Sequence, residues 1–210
     1  MPKITLSKDE VKAMLLIVAD RIIENEPMLS EADRNLGDGD HGLGMKRGME
    51  AVKEKLAGDV ESIEKAFSNT GMAMMSSMGG ASGAIFGTLW RSGGKALAGR
   101  DAFDAACLAD LLKSGLDAVM ARGGAKPGDK TMIDALHPAA EKAQEVRGAP
   151  LPEAMAAVAA AGEAGKEASK ALIATMGRAK TLGEQSIGHP DAGACSVVVI
   201  LNAMREYIEA

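Results

Sequence analysis

Apolar residues recur every three or four positions along almost the whole chain, and clusters of glycine break the runs. Val11, Met14, Leu15, Val18 and Ile22 fall on one helical face behind the capping box Ser7-Lys8-Asp9-Glu10, which predicts a first helix ending near Asn25, where Pro27 stops it. Met45, Met49, Val52 and Leu56 mark a second helix, and Ile63, Phe67, Met74 and Met78 a third, with Gly58-Asp59 closing one and capping the next. Ile85 and Leu89 carry a fourth, and Leu108, Leu112, Leu116 and Val119 a fifth that restarts at Gly99-Arg100-Asp101. A short helix interrupted by Pro138, an alanine-rich helix from Leu151 to Ile173, and a last helix through Val197, Leu201, Met204 and Ile208 bring the total to about eight. No stretch alternates with the two-residue period of a half-buried strand. The expected fold class is therefore all-α: a bundle or barrel of antiparallel helices forming a single domain over residues 1–210.

Composition agrees. Hydrophobic residues make up 47% of the chain but aromatics only 2%, against 14 methionines, and a core of Ala, Leu, Val, Ile and Met with so few rings points to helices, because strands favour β-branched and aromatic residues. The same scarcity excludes an aromatic platform for stacking single-stranded bases, and a net charge of -5 argues against nucleic acid or an anionic membrane as partner. No apolar run approaches the length of a membrane span, and no signal-peptide pattern opens the sequence. Cys107 and Cys195 lack CxxC spacing and are too few for a disulfide framework, so the expected location is the cytoplasm.

The connections alternate in length. Longer, glycine-rich ones follow the first, third, fifth and seventh of these helices, so in an antiparallel arrangement all of them lie at one end. That rim gathers Asp33, Asp38 and Asp40, the turn Gly79-Gly80-Ala81-Ser82-Gly83, the loop from Arg122 to Thr131 and the loop from Arg178 to Gly193.

Two of the three carboxylates lie in Gly37-Asp38-Gly39-Asp40, where flanking glycines let the backbone aim both side chains at one point. A hard cation is one reading; an exposed turn that caps the next helix is the other. The glycine-rich turn at Gly79 to Gly83 serves equally as close helix packing or as a phosphate cradle at a helix N-terminus. An EF-hand starting at Asp38 would place Met49 at its twelfth position, which cannot ligate calcium, and the scattered His41, His137 and His189 offer no zinc site. Gly128-Asp129-Lys130-Thr131 imitates the end of a Walker A motif, but Asp129 breaks it and no strand precedes it. Three carboxylates, two glycine-rich loops and the cations Lys130 and Arg178 suit a polyphosphate bound through Mg²⁺. His137, before Pro138 in an apolar run, reads as structural, and neither Ser82 nor Cys195 shows a nucleophile–base arrangement nearby in sequence.

Four motifs in order, Asp33-Arg34-Asn35-Leu36-Gly37-Asp38-Gly39-Asp40-His41-Gly42, Gly79-Gly80-Ala81-Ser82-Gly83, Pro127-Gly128-Asp129-Lys130-Thr131-Met132 and Leu182-Gly183-Glu184-Gln185-Ser186-Ile187-Gly188-His189-Pro190-Asp191, resemble the nucleotide-binding L subunit of dihydroxyacetone kinase, the DhaL family. The resemblance implies an eight-helix antiparallel barrel with ADP or ATP and two Mg²⁺ ions at one rim. By motif, Asp33, Asp38 and Asp40 would hold the metal. His41, Gly42, Leu43, Gly44, Ala81, Ser82, Gly123, Met132, Arg178, Asp191, Ala192 and Gly193 would line the nucleotide. Gly44 stands where some relatives have Asn, and Ala192 where some have Pro. The resemblance further implies that a separate K subunit holds the small ketose covalently on a histidine, whether dihydroxyacetone or a four-carbon sugar. The phosphoryl group would come from ATP, or from a phosphotransferase-system M subunit recharging bound ADP. Some relatives act instead as nucleotide-loaded modules on a transcriptional regulator, which is the alternative function.

Overall fold

The computed structural model describes residues 3–210, and the periodic segments of the sequence all fold as helices. In chain order these are α1 (Lys8–Glu24), α2 (Glu26–Arg34), α3 (His41–Lys55), α4 (Ile63–Ser77), α5 (Gly80–Lys95), α6 (Ala105–Gly123), α7 (Ile133–Glu145), α8 (Leu151–Ser169) and α9 (Ala192–Glu209), with a 3-10 segment at Arg178–Ser186. Each of α3 to α9 packs against its chain neighbour, and α9 and α3 both pack against α1, so eight antiparallel helices close into a ring. The ninth, α2, lies outside the ring against α3, α9 and α1.

The ring interior is filled by the apolar stripes. Met14, Val18, Met45, Met49, Phe67, Leu108, Met155, Val158, Leu201 and Met204 are buried in one continuous core. A residual cavity of about 20 Å³ between Leu89, Trp90, Leu112 and Leu201 shows how little space the stripes leave. Close approach is bought with glycine at α4 and α5, where a Cβ on Gly71 would fall 2.5 Å from the Gly87 carbonyl oxygen. An antiparallel bridge between Leu6 and Phe103 ties the N-terminal segment to the connection before α6.

The termini follow local chemistry. Ser7 and Glu10 form the expected capping box, and α1 ends with Asn25 as its C-cap. The third and fifth predicted helices start slightly later than their glycines suggest, capped by Ser62 and Asp104, whose side chains accept from the Lys65 and Cys107 N–H groups. Pro138 does not break its helix: α7 runs through it. A proline cannot donate to the carbonyl four residues back, and the freed Asp134 carbonyl lies against Gly165 of α8, where a Cβ would come within 2.2 Å. The sequence reading treats residues 28 to 40 as a loop or short helical turn, whereas a nine-residue helix, α2, occupies Glu26–Arg34. Pro27 sits in its first turn, so the residue that ends α1 also starts α2.

Candidate functional site

The connections after α2, α4, α6 and α8 meet at one end of the ring around a cleft of about 460 Å³. Its wall takes Asp33, Asp38, Asp40 and His41 from the first, Met78 to Ser82 from the second, Lys130 to Met132 from the third, and Met176 to Ala179 from the fourth. Asp191, Ala192 and Gly193, at the start of α9, complete it.

Asp33 is on the last turn of α2, and buried Leu36 anchors the turn that follows. The Gly37 N–H donates to the Asp33 carbonyl at 2.5 Å, and a Cβ on Gly37 would lie 2.7 Å from Asp33 Oδ1, so only glycine lets the chain pass beneath that carboxylate. One oxygen each from Asp33, Asp38 and Asp40 then falls within 4.8 Å of the others. Like charges at about 4 Å repel by about 1 kcal/mol per pair even in bulk water. Little in the protein offsets this. The His41 N–H donates to Asp33 Oδ2 at 3.2 Å, and the Arg178 guanidinium pairs with Asp38. Asp40 stands at the N-cap of α3 but makes no side-chain cap bond, so the turn-capping explanation of this cluster does not describe it.

Across the cleft, α5 begins without a side-chain cap. Gly79 and Gly80 take φ of 73° and 63°, a region other residues rarely enter, and α5 starts from this sharp reversal with no side chain capping its first N–H groups. Uncapped N–H groups and the helix dipole make this terminus a place for an anion. Arg47 adds a cation beside it, its Nη2 donating to the Met78 carbonyl at 2.8 Å. Arg47 is absent from the sequence reading, although it lies one turn beyond Gly44 on the same helical face.

The α9 edge is capped: Asp191 accepts from the Ala194 N–H at 2.8 Å. Burial pushes its carboxyl up to about 6, with Asp134 and Asp33 as acidic neighbours acting in the same direction and the backbone N–H groups of Ala194 and Gly193 opposing. Gly193 is required here, since a Cβ would meet Asp191 Oδ2 at 2.9 Å and the Met132 Cβ at 3.1 Å. His41 is buried at the junction of α3, α5 and α9, its Nε2 2.8 Å from Ser196 Oγ and its Nδ1 3.5 Å from Ser82 Oγ. Burial lowers the imidazole pKa, and the Asp33 charge only partly opposes this.

Lys130 departs from its expected role. Its side chain is buried, and Nζ donates to the carbonyls of Ser169, Lys170 and Leu172 at 3.0, 3.3 and 3.0 Å. An ammonium has three donors, and all three are committed to the end of α8, leaving none for a phosphate. Of the other predicted residues, Gly44, Ala81, Ser82, Met132 and Arg178 line the cleft. Gly42, Leu43 and Gly123 are not part of its wall: Gly42 is pressed against Ser30 of α2, Leu43 is 49% exposed, and Gly123 lies behind Ile85. His137, expected to be structural, pairs with Glu141 on the outer face of α7 at 3.3 Å. Cys195 and Cys107 are buried thiols, and burial raises Cys195 to about 11.

Fold and cleft together define an all-α barrel whose single rim sets a carboxylate cluster opposite an uncapped helix N-terminus. A model of the DAK2 domain matches residues 35–206, and the chain belongs to that family. It is 36% identical over 203 residues to the ADP-binding subunit DhaL of the PEP-dependent dihydroxyacetone kinase of Escherichia coli, covering 95% of this chain and 97% of that protein. It is 35% identical to the L-erythrulose 1-kinase of Mycolicibacterium smegmatis, covering 88% of this chain but only 33% of that longer protein. The crystal structure of the C. freundii dihydroxyacetone kinase in complex with AMP-PNP and Mg²⁺ superposes with a TM-score of 0.75 at 24% identity, covering 98% of this chain and 34% of that one. That likeness establishes the shared fold. Among the described residues no helix is long and apolar enough to cross a membrane.

Proposed function

We propose that residues 1–210 act as one nucleotide-binding domain, the L subunit of a small-ketose kinase, which holds ADP or ATP through Mg²⁺ and passes the phosphoryl group to a ketose on a separate K subunit. The observation that carries this is the facing of two halves in one cleft: Asp33, Asp38 and Asp40 with oxygens within 4.8 Å, and the uncapped start of α5 opposite. Each half alone has ordinary explanations; facing each other, they match the two ends of a metal–phosphate complex.

The residues fit the ion. Among the described residues, one guanidinium and one N–H are all that compensate the three mutually repelling carboxylates, and Arg178 stands on Asp38 where positive charge is needed. Mg²⁺ takes one or two carboxylates and fills its octahedron with phosphate oxygens and water. Three carboxylates exceed that, so we assign two ions, shared among Asp33, Asp38 and Asp40. When bound, Mg²⁺ supplies charge neutralisation at the phosphoryl oxygens. The chain's own residues do the rest. The N–H groups of Ala81 and Ser82 hold phosphate oxygens, Arg178 and Arg47 flank them, and His41 and Gly44 floor the cleft beneath. Met132, Ala192 and Gly193 form a low-polarity wall suited to the base, with Asp191 at its edge. Gly42, Leu43 and Gly123 lie outside the wall and take no direct contact in this reading, with Gly42 serving to seat α3 on α2. Phosphoryl transfer needs little covalent work from the protein beyond positioning and electrostatic stabilisation, which this site provides.

The ketose is assigned to a K subunit because the relatives matched over their whole length are named as ADP-binding subunits of a dihydroxyacetone kinase. Dihydroxyacetone and the four-carbon erythrulose both fit a scheme in which the partner selects the sugar. The matched relatives named PEP-dependent and PTS-dependent ADP-binding subunits support a phosphotransferase donor acting on bound ADP, a step we assign to an M subunit in the cytoplasm. The transcriptional-regulator alternative gains no support from relatives that are named as kinases or their subunits. Calorimetry should show ADP binding that requires Mg²⁺. With K subunit added, turnover of dihydroxyacetone should follow a phosphotransferase donor and not ATP alone. Equal ADP affinity with and without Mg²⁺ would remove the reading.

A further inference from the structure

We propose that Ser196, on the inner side of α9, is a positioning residue: it fixes His41 in the tautomer protonated on Nε2, so that Nδ1 holds the Ser82 hydroxyl and locks the start of α5 to the start of α3. Neither composition nor motif marks Ser196, which is 155 positions from His41 and fully buried.

Ser196 Oγ donates its hydrogen to the Ala192 carbonyl at 3.1 Å, the usual bond of a helical serine to the preceding turn. With that hydrogen assigned to the carbonyl, the Ser196 Oγ lone pairs face His41 Nε2 at 2.8 Å, and in the proposed arrangement that nitrogen carries the hydrogen. A neutral imidazole has one N–H and one bare nitrogen, which leaves Nδ1 as an acceptor. The atom 3.5 Å from it is Ser82 Oγ, whose hydrogen has that acceptor to point at. The chain of bonds runs one way, from Ser82 through the ring and Ser196 to the backbone of α9.

The ring has little freedom to do otherwise. His41 is 8% exposed, Phe86 of α5 packs tilted against it with centroids 6.0 Å apart, and Asp33 Oδ2 accepts from its backbone N–H. Gly42 lets α3 seat directly on α2, since a Cβ there would collide with Ser30 and the Glu26 carbonyl at 2.4 Å. The imidazole therefore joins the carboxylate half of the cleft to the amide half, and Ser196 decides which nitrogen faces which half. A donor at Nδ1 would force the Ser82 hydroxyl to rotate away and would leave Nε2 against a hydroxyl already committed elsewhere.

The tautomer is directly visible. In the full-length chain labelled with ¹⁵N-histidine and free of nucleotide, His41 should show a protonated Nε2 and a bare Nδ1; with three histidines in the chain, a His41→Asn spectrum assigns the signals. Ser196→Ala should shift the ring toward the other tautomer and weaken Mg²⁺-dependent ADP binding roughly five- to tenfold, the scale of one lost buried hydrogen bond. Ser196→Thr, which keeps the hydroxyl, should restore both. A wild-type ring protonated on Nδ1 overturns the proposal whether or not any variant folds. A loss of affinity in Ser196→Ala with the ring unchanged also overturns it, because that is a packing effect, and so does a changed ring with unchanged affinity. The affinity arm rests on the nucleotide reading above: wild-type protein that binds no Mg²⁺–ADP sinks that reading, while the ring nitrogens still decide the tautomer.

Discussion

Two loops at the same rim carry nearly the same letters and meet opposite fates. Gly37-Asp38-Gly39-Asp40 leaves its charges close to one another, with one guanidinium on Asp38. Gly128-Asp129-Lys130-Thr131 consumes its charges internally. Asp129 accepts from the Lys126 N–H at 2.8 Å and the Thr175 hydroxyl at 2.7 Å, and Lys130 is spent on the end of α8. Asp134, just beyond, accepts from the Gly128 and Thr131 N–H groups at 2.6 and 2.8 Å. The first loop leaves its carboxylates with few internal partners, and the second satisfies its own. An acidic glycine loop becomes a binding site when its polar atoms are left unsatisfied, and residue types alone do not reveal which case holds.

The largest effect that separates the loops is on stability. Lys130→Met keeps the aliphatic stem but strips the ammonium from three carbonyls in a buried setting, and it should lower the unfolding free energy by about 3 kcal/mol in a urea titration. A loss under 1 kcal/mol would mean that those carbonyls find other donors, and the second loop would not be the closed structure described.

In the first loop, Asp38→Asn should leave the stability of the nucleotide-free chain unchanged or slightly raised, since it relieves repulsion. Its Mg²⁺-dependent ADP affinity should fall at least as far as the roughly 10–100-fold lost with an outer-shell partner of a metal site. Calorimetry paired with the same urea titration tests both halves. A destabilised Asp38→Asn with normal affinity would reverse the assignment of the two loops.

Asp191 sharpens the contrast at the cleft's third edge. Its folded carboxyl is pushed up to about 6, so between the ordinary unfolded value of 3.8 and about 6 the native chain holds a proton the unfolded chain has released. Its contribution is thus full below the unfolded value and is lost as pH rises through about 6. Asp191→Asn should flatten that fall in a pH series of unfolding free energies, measured without metal or nucleotide.

The barrel was legible because a helical stripe that must be buried repeats every three or four residues, and Val11 to Ile22 or Val197 to Ile208 satisfy it without help from distant residues. The common rim was legible because loop length alternates and antiparallel helices turn alternate loops to one side. Asp33, Asp38 and Asp40 are local in sequence, so their convergence could be anticipated. What escaped is long-range or double-edged. Pro27 ends one helix or begins another with equal ease, and α2 has few apolar residues to declare it. Lys130 looked like a phosphate cation because its true partners lie about forty positions away, at the end of α8. The His41–Ser196 contact spans most of the chain, and a buried serine carries no pattern at all.

The smallest predicted effect tests the second loop from the opposite direction. Asp129 is held below the usual carboxylate range by the Lys126 N–H and then by Thr175, bonds that favour its charged form. Its contribution is present above the unfolded value and disappears as pH falls through the folded one, the reverse of Asp191. Asp129→Ala should therefore cost about 1 kcal/mol at neutral pH, the net scale of a side-chain hydrogen bond, and the deficit should vanish on acidification below pH ~4. Because Thr175 follows α8 and Asp129 precedes α7, this bond also ties the two loops on which Met132 and Arg178 depend. If Asp129→Ala weakened ADP binding as much as Asp38→Asn does, while losing no more than this small stability, the second loop would be part of the ligand site and not merely its frame.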